Sequence, residues 1–211
     1  MKVCEIFHSI QGEGAMIGAP TIFIRMTGCD LDCKWCDTEY AKTEGADMGL
    51  EDIINEVQKY DCRRICITGG EPLCQADAVL NLIDELLMLD YFITLETNGA
   101  HSLEQMECSP GLMLSMDIKC PSSGQHEHMD LSNIELLGPT DQLKFIVADR
   151  KDYEYAKNII EEYGPQCLVI LTPVGGTGML KELAEWVLDD RLNVSVLPQL
   201  HKIIWGDERT R

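Results

Sequence analysis

Basic residues are scarce: 17 Lys+Arg stand against 36 Asp+Glu, a formal net charge of −19 over 211 residues. So acidic a surface repels phosphate backbones and anionic lipid, which argues against nucleic-acid binding and electrostatic membrane attachment and favours a small-molecule partner. Long apolar runs are missing too. No stretch approaches the roughly 18 consecutive apolar residues of a membrane span, and Met1-Lys2-Val3-Cys4-Glu5 does not open into the apolar segment of a secretion signal. A cytoplasmic location is expected. Low-complexity segments and internal repeats are also lacking, and 45% hydrophobic with 25% charged residues is the balance of a folded globular chain. One domain spanning residues 1–211 is expected.

Cysteine is the surplus, with ten residues. A disulfide framework belongs to short secreted chains, so reduced thiols are expected here. Cys62, Cys66 and Cys167 fall in or beside apolar runs, where a buried thiol is ordinary. Cys29, Cys33 and Cys36 differ, because C-x3-C-x2-C packs three thiols into one short stretch directly after the apolar run Thr21 to Met26. Three readings of the triplet remain open: a structural zinc completed by a distant ligand such as His126 or His128, a redox pair at Cys33-x-x-Cys36, and an iron-sulfur cluster with one iron left unligated by protein.

The surrounding pattern predicts alternating strands and helices. Strands are expected at Thr21 to Met26, Arg63 to Ile67, Tyr91 to Glu96, Leu112 to Ile118, Gln142 to Val147, Cys167 to Leu171 and Val194 to Leu197. Apolar residues at helical spacing mark the segments that begin at Leu50 and Val79 and those over Lys151 to Tyr163 and Met179 to Leu188. Two connections, Asn98 to Gly111 and Cys120 to Gln142, are too poor in periodic apolar residues to be ordinary crossover helices. The expected fold is α/β, an incomplete, partly open TIM-like barrel of about six parallel strands with a reduced set of helices. Cys29 to Cys36, Gly69-Gly70-Glu71, Thr97-Asn98-Gly99, Lys119, Thr172-Pro173 and His201 then all fall at the carboxyl ends of strands, where such folds gather their reactive groups.

The cysteine triplet, with Trp35 just before its last member and Gly69-Gly70-Glu71-Pro72 at the next strand end, resembles the radical S-adenosylmethionine (SAM) superfamily. Within it, Ser9-Ile10-Gln11-Gly12-Glu13-Gly14, Arg25, Cys36-Asp37-Thr38, the Lys119-Cys120-Pro121-Ser122-Ser123-Gly124 loop and His201-Lys202-Ile203-Ile204-Trp205 resemble the 7-carboxy-7-deazaguanine synthase family. The resemblance implies a 4Fe-4S cluster on Cys29, Cys33 and Cys36, and SAM held by Trp35, Cys36, Asp37, Gly70, Glu71, Lys119, Thr172 and Pro173. Ser115 and Asp117 both remain candidates for a further SAM contact. It also implies a 6-carboxy-5,6,7,8-tetrahydropterin substrate against Ile10, Gln11, Gly12, Glu13, Arg25, Thr68 and His201, with Mg2+ on Thr38.

The implied reaction is a radical ring contraction with loss of ammonia, in the formation of the 7-deazapurines queuosine or archaeosine. A homodimer and a reducing partner such as a flavodoxin or ferredoxin are implied as well. From the residues alone, Thr38 reads as a helix N-cap, and the alternative to a substrate role for Arg25 is a strand residue paired to a neighbouring acid. Two other functions stay open, a glycyl-radical-enzyme activase and a non-enzymatic iron-sulfur or metal-binding protein.

Overall fold

Side chains alternate across a strand, and here the two sets differ in chemistry. Ile22, Ile24, Ile65, Ile67, Ile93, Leu95, Leu114, Met116, Leu143, Phe145, Val169 and Leu171 form one buried apolar face of a sheet. The intervening positions include Arg25, Thr68, Glu96, Asp117 and Lys144, which line a cleft on the opposite face. The apolar face makes the core and the polar face makes the site.

The computed structural model describes residues 1–106 and 109–210. Its sheet has nine strands in the order β3-β1-β2-β4-β5-β6-β7-β8-β9. These are β1 (Lys2–Ile10), β2 (Pro20–Met26), β3 (Ala46–Asp47), β4 (Arg64–Gly69), β5 (Phe92–Thr97), β6 (Leu112–Ile118), β7 (Gln142–Val147), β8 (Leu168–Pro173) and β9 (Ser195–Val196). From β2 to β9 every neighbouring pair is parallel, whereas β1 pairs antiparallel with both β2 and β3. The sheet ends at β3 on one side and β9 on the other, so the barrel is open.

Helices α1 (Leu50–Val57), α2 (Ala76–Met88), α3 (Arg150–Tyr163) and α4 (Leu180–Asp190) pack on the apolar face, with Ile53, Val57, Leu82, Leu86, Tyr153 and Leu183 in the core. Helix α3 is stopped at both ends by its own sequence. The Asp149 side chain accepts from the Asp152 N–H at 2.9 Å, and Gly164 takes the left-handed conformation at φ 53°. A short α5 (Leu200–Trp205) follows β9.

The expected parallel barrel is present, with seven parallel strands where about six were expected; the last is only two residues long. Strands β4 and β8 extend past their apolar runs to Gly69 and Pro173, because Met26 and Val147 on the neighbouring strands offer those residues partners. The opening segment becomes β1, a strand antiparallel to β2. The connection Cys120 to Gln142 carries three short 3-10 turns, Pro121–Ser123, His126–His128 and Leu131–Leu136, and no α-helix. Asn98 to Gly111 has no helix among its described residues; positions 107 and 108 lie outside them.

Candidate functional site

The concave face opens at the carboxyl ends of the strands into a cleft of about 500 Å³. Its wall includes Cys29, Cys33 and Cys36, reached directly from β2. Gly28 begins that loop at φ 100°, a conformation open to glycine. The loop is fixed from two sides: the Ala41 carbonyl accepts from the Gly28 N–H at 2.9 Å, and the Gly28 carbonyl accepts from the Glu71 N–H at 2.6 Å. A Cβ at Gly70 would lie 2.1 Å from that Gly28 carbonyl oxygen, so the turn after β4 and the cysteine loop meet backbone to backbone.

The three thiols are free and half-buried. Burial pushes Cys29 and Cys33 up from the ordinary thiol range, so a metal must displace their protons to bind. Among the described residues no fourth cysteine reaches the cleft wall, and neither His126 nor His128 does; His126 lies edge-on to Tyr155, with ring centroids 5.8 Å apart. The zinc reading therefore loses both histidines named for it, and the donor set of three thiols fits a cluster with one open iron. SAM fits as well. Asp117 Oδ1 is buried without a partner while Oδ2 accepts from Lys119 Nζ at 2.9 Å, which leaves an acceptor matched to a hydroxyl donor such as a ribose.

Glu71 is fully buried, and its carboxylate ties the cleft wall together. Oε1 accepts from the Leu73 N–H and the Thr97 hydroxyl, both at 2.9 Å, and Oε2 from the Asn98 N–H at 2.6 Å. Burial nevertheless raises its carboxyl above the ordinary range, against those bonds.

At the other end of the cleft, Glu13 Oε2 accepts from Lys144 Nζ at 3.1 Å and Oε1 from Gln199 Nε2 at 2.8 Å. Lys144 Nζ also reaches Glu96 Oε2 at 3.4 Å, while Gln11 Nε2 donates to Glu96 Oε1 at 3.3 Å. Burial alone would raise the Glu13 carboxyl; the Lys144 ammonium and the Gln199 amide outweigh it and hold Glu13 below its usual value. Gly12 lies against His201, since a Cβ there would come within 2.1 Å of the ring, and its carbonyl accepts from the Leu200 N–H at 2.8 Å.

Arg25 is paired to a neighbouring acid and stands on the cleft wall. Its Nε donates to Glu5 Oε1 at 2.8 Å, across the β1/β2 register that pairs the two residues, and its side chain also lines the cleft. Tyr40 donates to the same Glu5 oxygen at 2.9 Å. Thr38 occupies the N-cap position of the turn Glu39–Lys42 but makes no capping bond; its hydroxyl lies 3.4 Å from Asp37 Oδ1 and 4.0 Å from Cys36 Sγ. Burial raises the Asp37 carboxyl, but His201, Lys202 and Arg25 bring it down to about 2.

Of the residues expected from sequence, Ile10, Gln11, Gly12, Glu13, Arg25, Trp35, Asp37, Thr38, Thr68, Gly70, Glu71, Asp117, Lys119 and His201 join the cysteines on the cleft wall. Ser115, Thr172 and Pro173 are not on it. Ser115 shares a strand face with Asp117 but lies two residues deeper, where its hydroxyl accepts from Gln142 Nε2 at 2.6 Å. Thr172 Oγ1 is buried without a partner.

Sequence reasoning missed Glu96, Lys144, Gln199, Glu5, Tyr40 and the tail at 206–210. For Glu96 and Lys144 a signal existed. Each is a lone charge inside an otherwise buried strand, Phe92–Thr97 and Gln142–Val147, and such charges are tolerated only when paired. The tail reaches the cleft through Arg209, whose guanidinium stands 3.7 Å over the Tyr40 ring and donates to Glu5 Oε2 at 3.2 Å.

Residues 23–109 match the family model described as the radical SAM superfamily. Proteins named 7-carboxy-7-deazaguanine synthase align over nearly the whole chain. That of Koribacter versatilis is 36% identical over 224 residues, covering 99% of this chain and 98% of the relative. That of Chlorobaculum tepidum is 38% identical, covering 99% and 96%, and that of Thermoplasma acidophilum 35% identical, covering 98% of each. The crystal structure of QueE from Escherichia coli superimposes with a TM-score of 0.73 at 24% identity over 93% of each chain, which supports the fold. The triplet of thiols, the open parallel barrel and this full-length similarity together place the chain in the 7-carboxy-7-deazaguanine synthase family of the radical SAM superfamily.

Proposed function

We propose that the chain is a radical SAM lyase that converts 6-carboxy-5,6,7,8-tetrahydropterin to 7-carboxy-7-deazaguanine with loss of ammonia, and that residues 1–211 act as one domain. The observation that carries this reading is that one cleft joins Cys29, Cys33 and Cys36 at one end to Gln11, Glu13, Arg25 and His201 at the other. An activase acting on a protein, or a plain electron carrier, has no use for that second set.

Cys29, Cys33 and Cys36 hold the cluster, and the Gly69-Gly70-Glu71 turn with Asp117 and Lys119 holds SAM. When bound, the cluster and SAM supply one-electron chemistry able to break a C–H bond. The chain positions the substrate for it. Glu13, kept ionised by Lys144, accepts from ring N–H groups, and Arg25, braced by Glu5, presents its guanidinium to the substrate carboxylate. Gly12 and His201 close the same wall. Thr38, on the cleft wall, would offer its hydroxyl to Mg2+, which prefers oxygen ligands. The cleft, at about 500 Å³, falls within the size range of small-molecule sites.

The same reading has the protein act in the cytoplasm as a homodimer and draw electrons from a flavodoxin or ferredoxin. Among the described residues no helix is long and apolar enough to cross a membrane. Anaerobic reconstitution followed by mass spectrometry of the pterin, with and without Mg2+, tests the proposal. A product lighter by ammonia is expected, while an unaltered pterin in the presence of reductant, SAM and Mg2+ rejects it.

A further inference from the structure

Asp30, Cys74 and His101 are not used by the chemistry above, yet three separate loops bring them together. Asp30 follows Cys29 in the loop after β2. Cys74 sits in the 3-10 turn Pro72–Gln75 after β4, and His101 lies in the loop after β5. Asp30 Oδ2 is 3.2 Å from His101 Nε2, while Cys74 Sγ is 3.8 Å from that nitrogen and 4.0 Å from Asp30 Oδ1. One ligating atom of each residue lies within 4.8 Å of the other two.

A carboxylate–imidazole pair with the Cys74 thiol in hydrogen-bond contact accounts for the grouping without a metal; a tetrahedral zinc would instead take one ligand atom from each of the three side chains. Bonds of ~2.0–2.3 Å set its ligand atoms about 3.3–3.6 Å apart; Asp30 Oδ2 and His101 Nε2 already stand at 3.2 Å, and the sulfur, 3.8 Å from that nitrogen, has to move inward to join them. The carboxylate is also held as a ligand would be. Asn98 Nδ2 donates to Asp30 Oδ1 at 3.0 Å, and Asn98 is itself buried, its N–H bound to Glu71 and its Oδ1 accepting from the Ala100 N–H at 2.9 Å. The Asp30 and His101 side chains are each 35% exposed, which leaves an entry path and room for a water as fourth ligand. The chain's surplus of negative charge favours any cation arriving there.

We propose that Asp30, Cys74 and His101 form a binding site for one thiophilic divalent cation, with zinc as its occupant. Bound there, zinc cross-links the loop that carries Cys29, the turn that carries Glu71 and the strand end that carries Asn98. It thereby fixes the wall shared by the cluster and SAM sites without contributing to either. The site uses no cluster cysteine, so it stands independently of the proposed reaction.

The test uses enzyme whose cluster has been reconstituted, so that Cys29, Cys33 and Cys36 are occupied. After incubation with excess zinc sulfate and desalting, zinc and iron are counted together in the wild type, Cys74→Ala and His101→Ala. The wild type should retain about one zinc per chain and each variant less than about a tenth of that, with iron content equal in all three. The zinc K-edge absorption of the wild type supplies a readout that needs no variant, and should show one sulfur among nitrogen and oxygen neighbours. The proposal is overturned if the wild type retains no zinc, if the variants retain as much, if zinc enters only as iron leaves, or if the edge shows several sulfurs.

Discussion

Lys144 Nζ lies 3.1 Å from Glu13 Oε2, although the two residues are 131 positions apart and the lysine side chain is only 2% exposed. The pair closes the site across the barrel, joining β7 to the loop that follows β1. Replacing Lys144 with methionine leaves Glu13 and Glu96 facing each other without a cation, which should cost about 3–5 kcal/mol of stability at neutral pH. In the wild type the lowered Glu13 carboxyl contributes stability that is present above its ordinary value of 4.5 and is lost as pH falls through the folded value. In Lys144→Met the carboxyl should rise instead. The gap between the two proteins in urea denaturation should therefore narrow from pH 7 toward about pH 4.

Glu5 acts through Arg25. Glu5→Gln replaces the charged acceptor that fixes the guanidinium with a weaker one, and should raise KM for the pterin roughly 10-fold with a smaller change in kcat. Arg25→Lys removes the planar fork itself and should lower kcat/KM by roughly 10- to 100-fold. Steady-state kinetics on both variants, with iron content as control, separate positioning from loss of fold.

Gly12→Ala places a methyl where the His201 ring stands, 2.1 Å from Nδ1. The ring must move. Cluster content and SAM binding should be unchanged while pterin affinity falls roughly 10-fold, measured by titration of the reconstituted enzyme.

The barrel was legible because short apolar runs such as Thr21 to Met26 and Arg63 to Ile67 are separated by segments with apolar residues at helical spacing. The cysteine end of the site was legible because its ligands are adjacent in sequence. The other end was legible only in part: Gln11, Glu13, Arg25 and His201 stand in motifs that resemble the family's, whereas Glu96, Lys144 and Gln199 come from distant segments and meet around Glu13 and Gln11 only through strand register and the return of the chain at α5. Glu5 was hidden for a related reason. Its partnership with Arg25 depends on β1 running antiparallel to β2, a pairing not evident in the alternating pattern of strands and helices.

The described cysteines divide by position. Single alanine substitutions at Cys29, Cys33 or Cys36 should abolish the visible absorption of the reconstituted cluster. Cys66, fully buried against Phe7 and Phe23, and Cys120, buried in the main core, should keep the cluster when changed to alanine and lose only about 1 kcal/mol each. Absorption spectra and iron content of the five variants check the division.

The most direct measurement is electron paramagnetic resonance of the reduced, reconstituted enzyme before and after addition of SAM. A cluster gripped by three thiolates and open at its fourth iron should change its signal when SAM binds, and a nitrogen coupling that appears with SAM should change from the ¹⁴N to the ¹⁵N pattern when the amino group of SAM is labelled with ¹⁵N. A signal indifferent to SAM, with no such coupling, would mean that the cleft does not bring SAM onto the metal, and would contradict the assignment at its root.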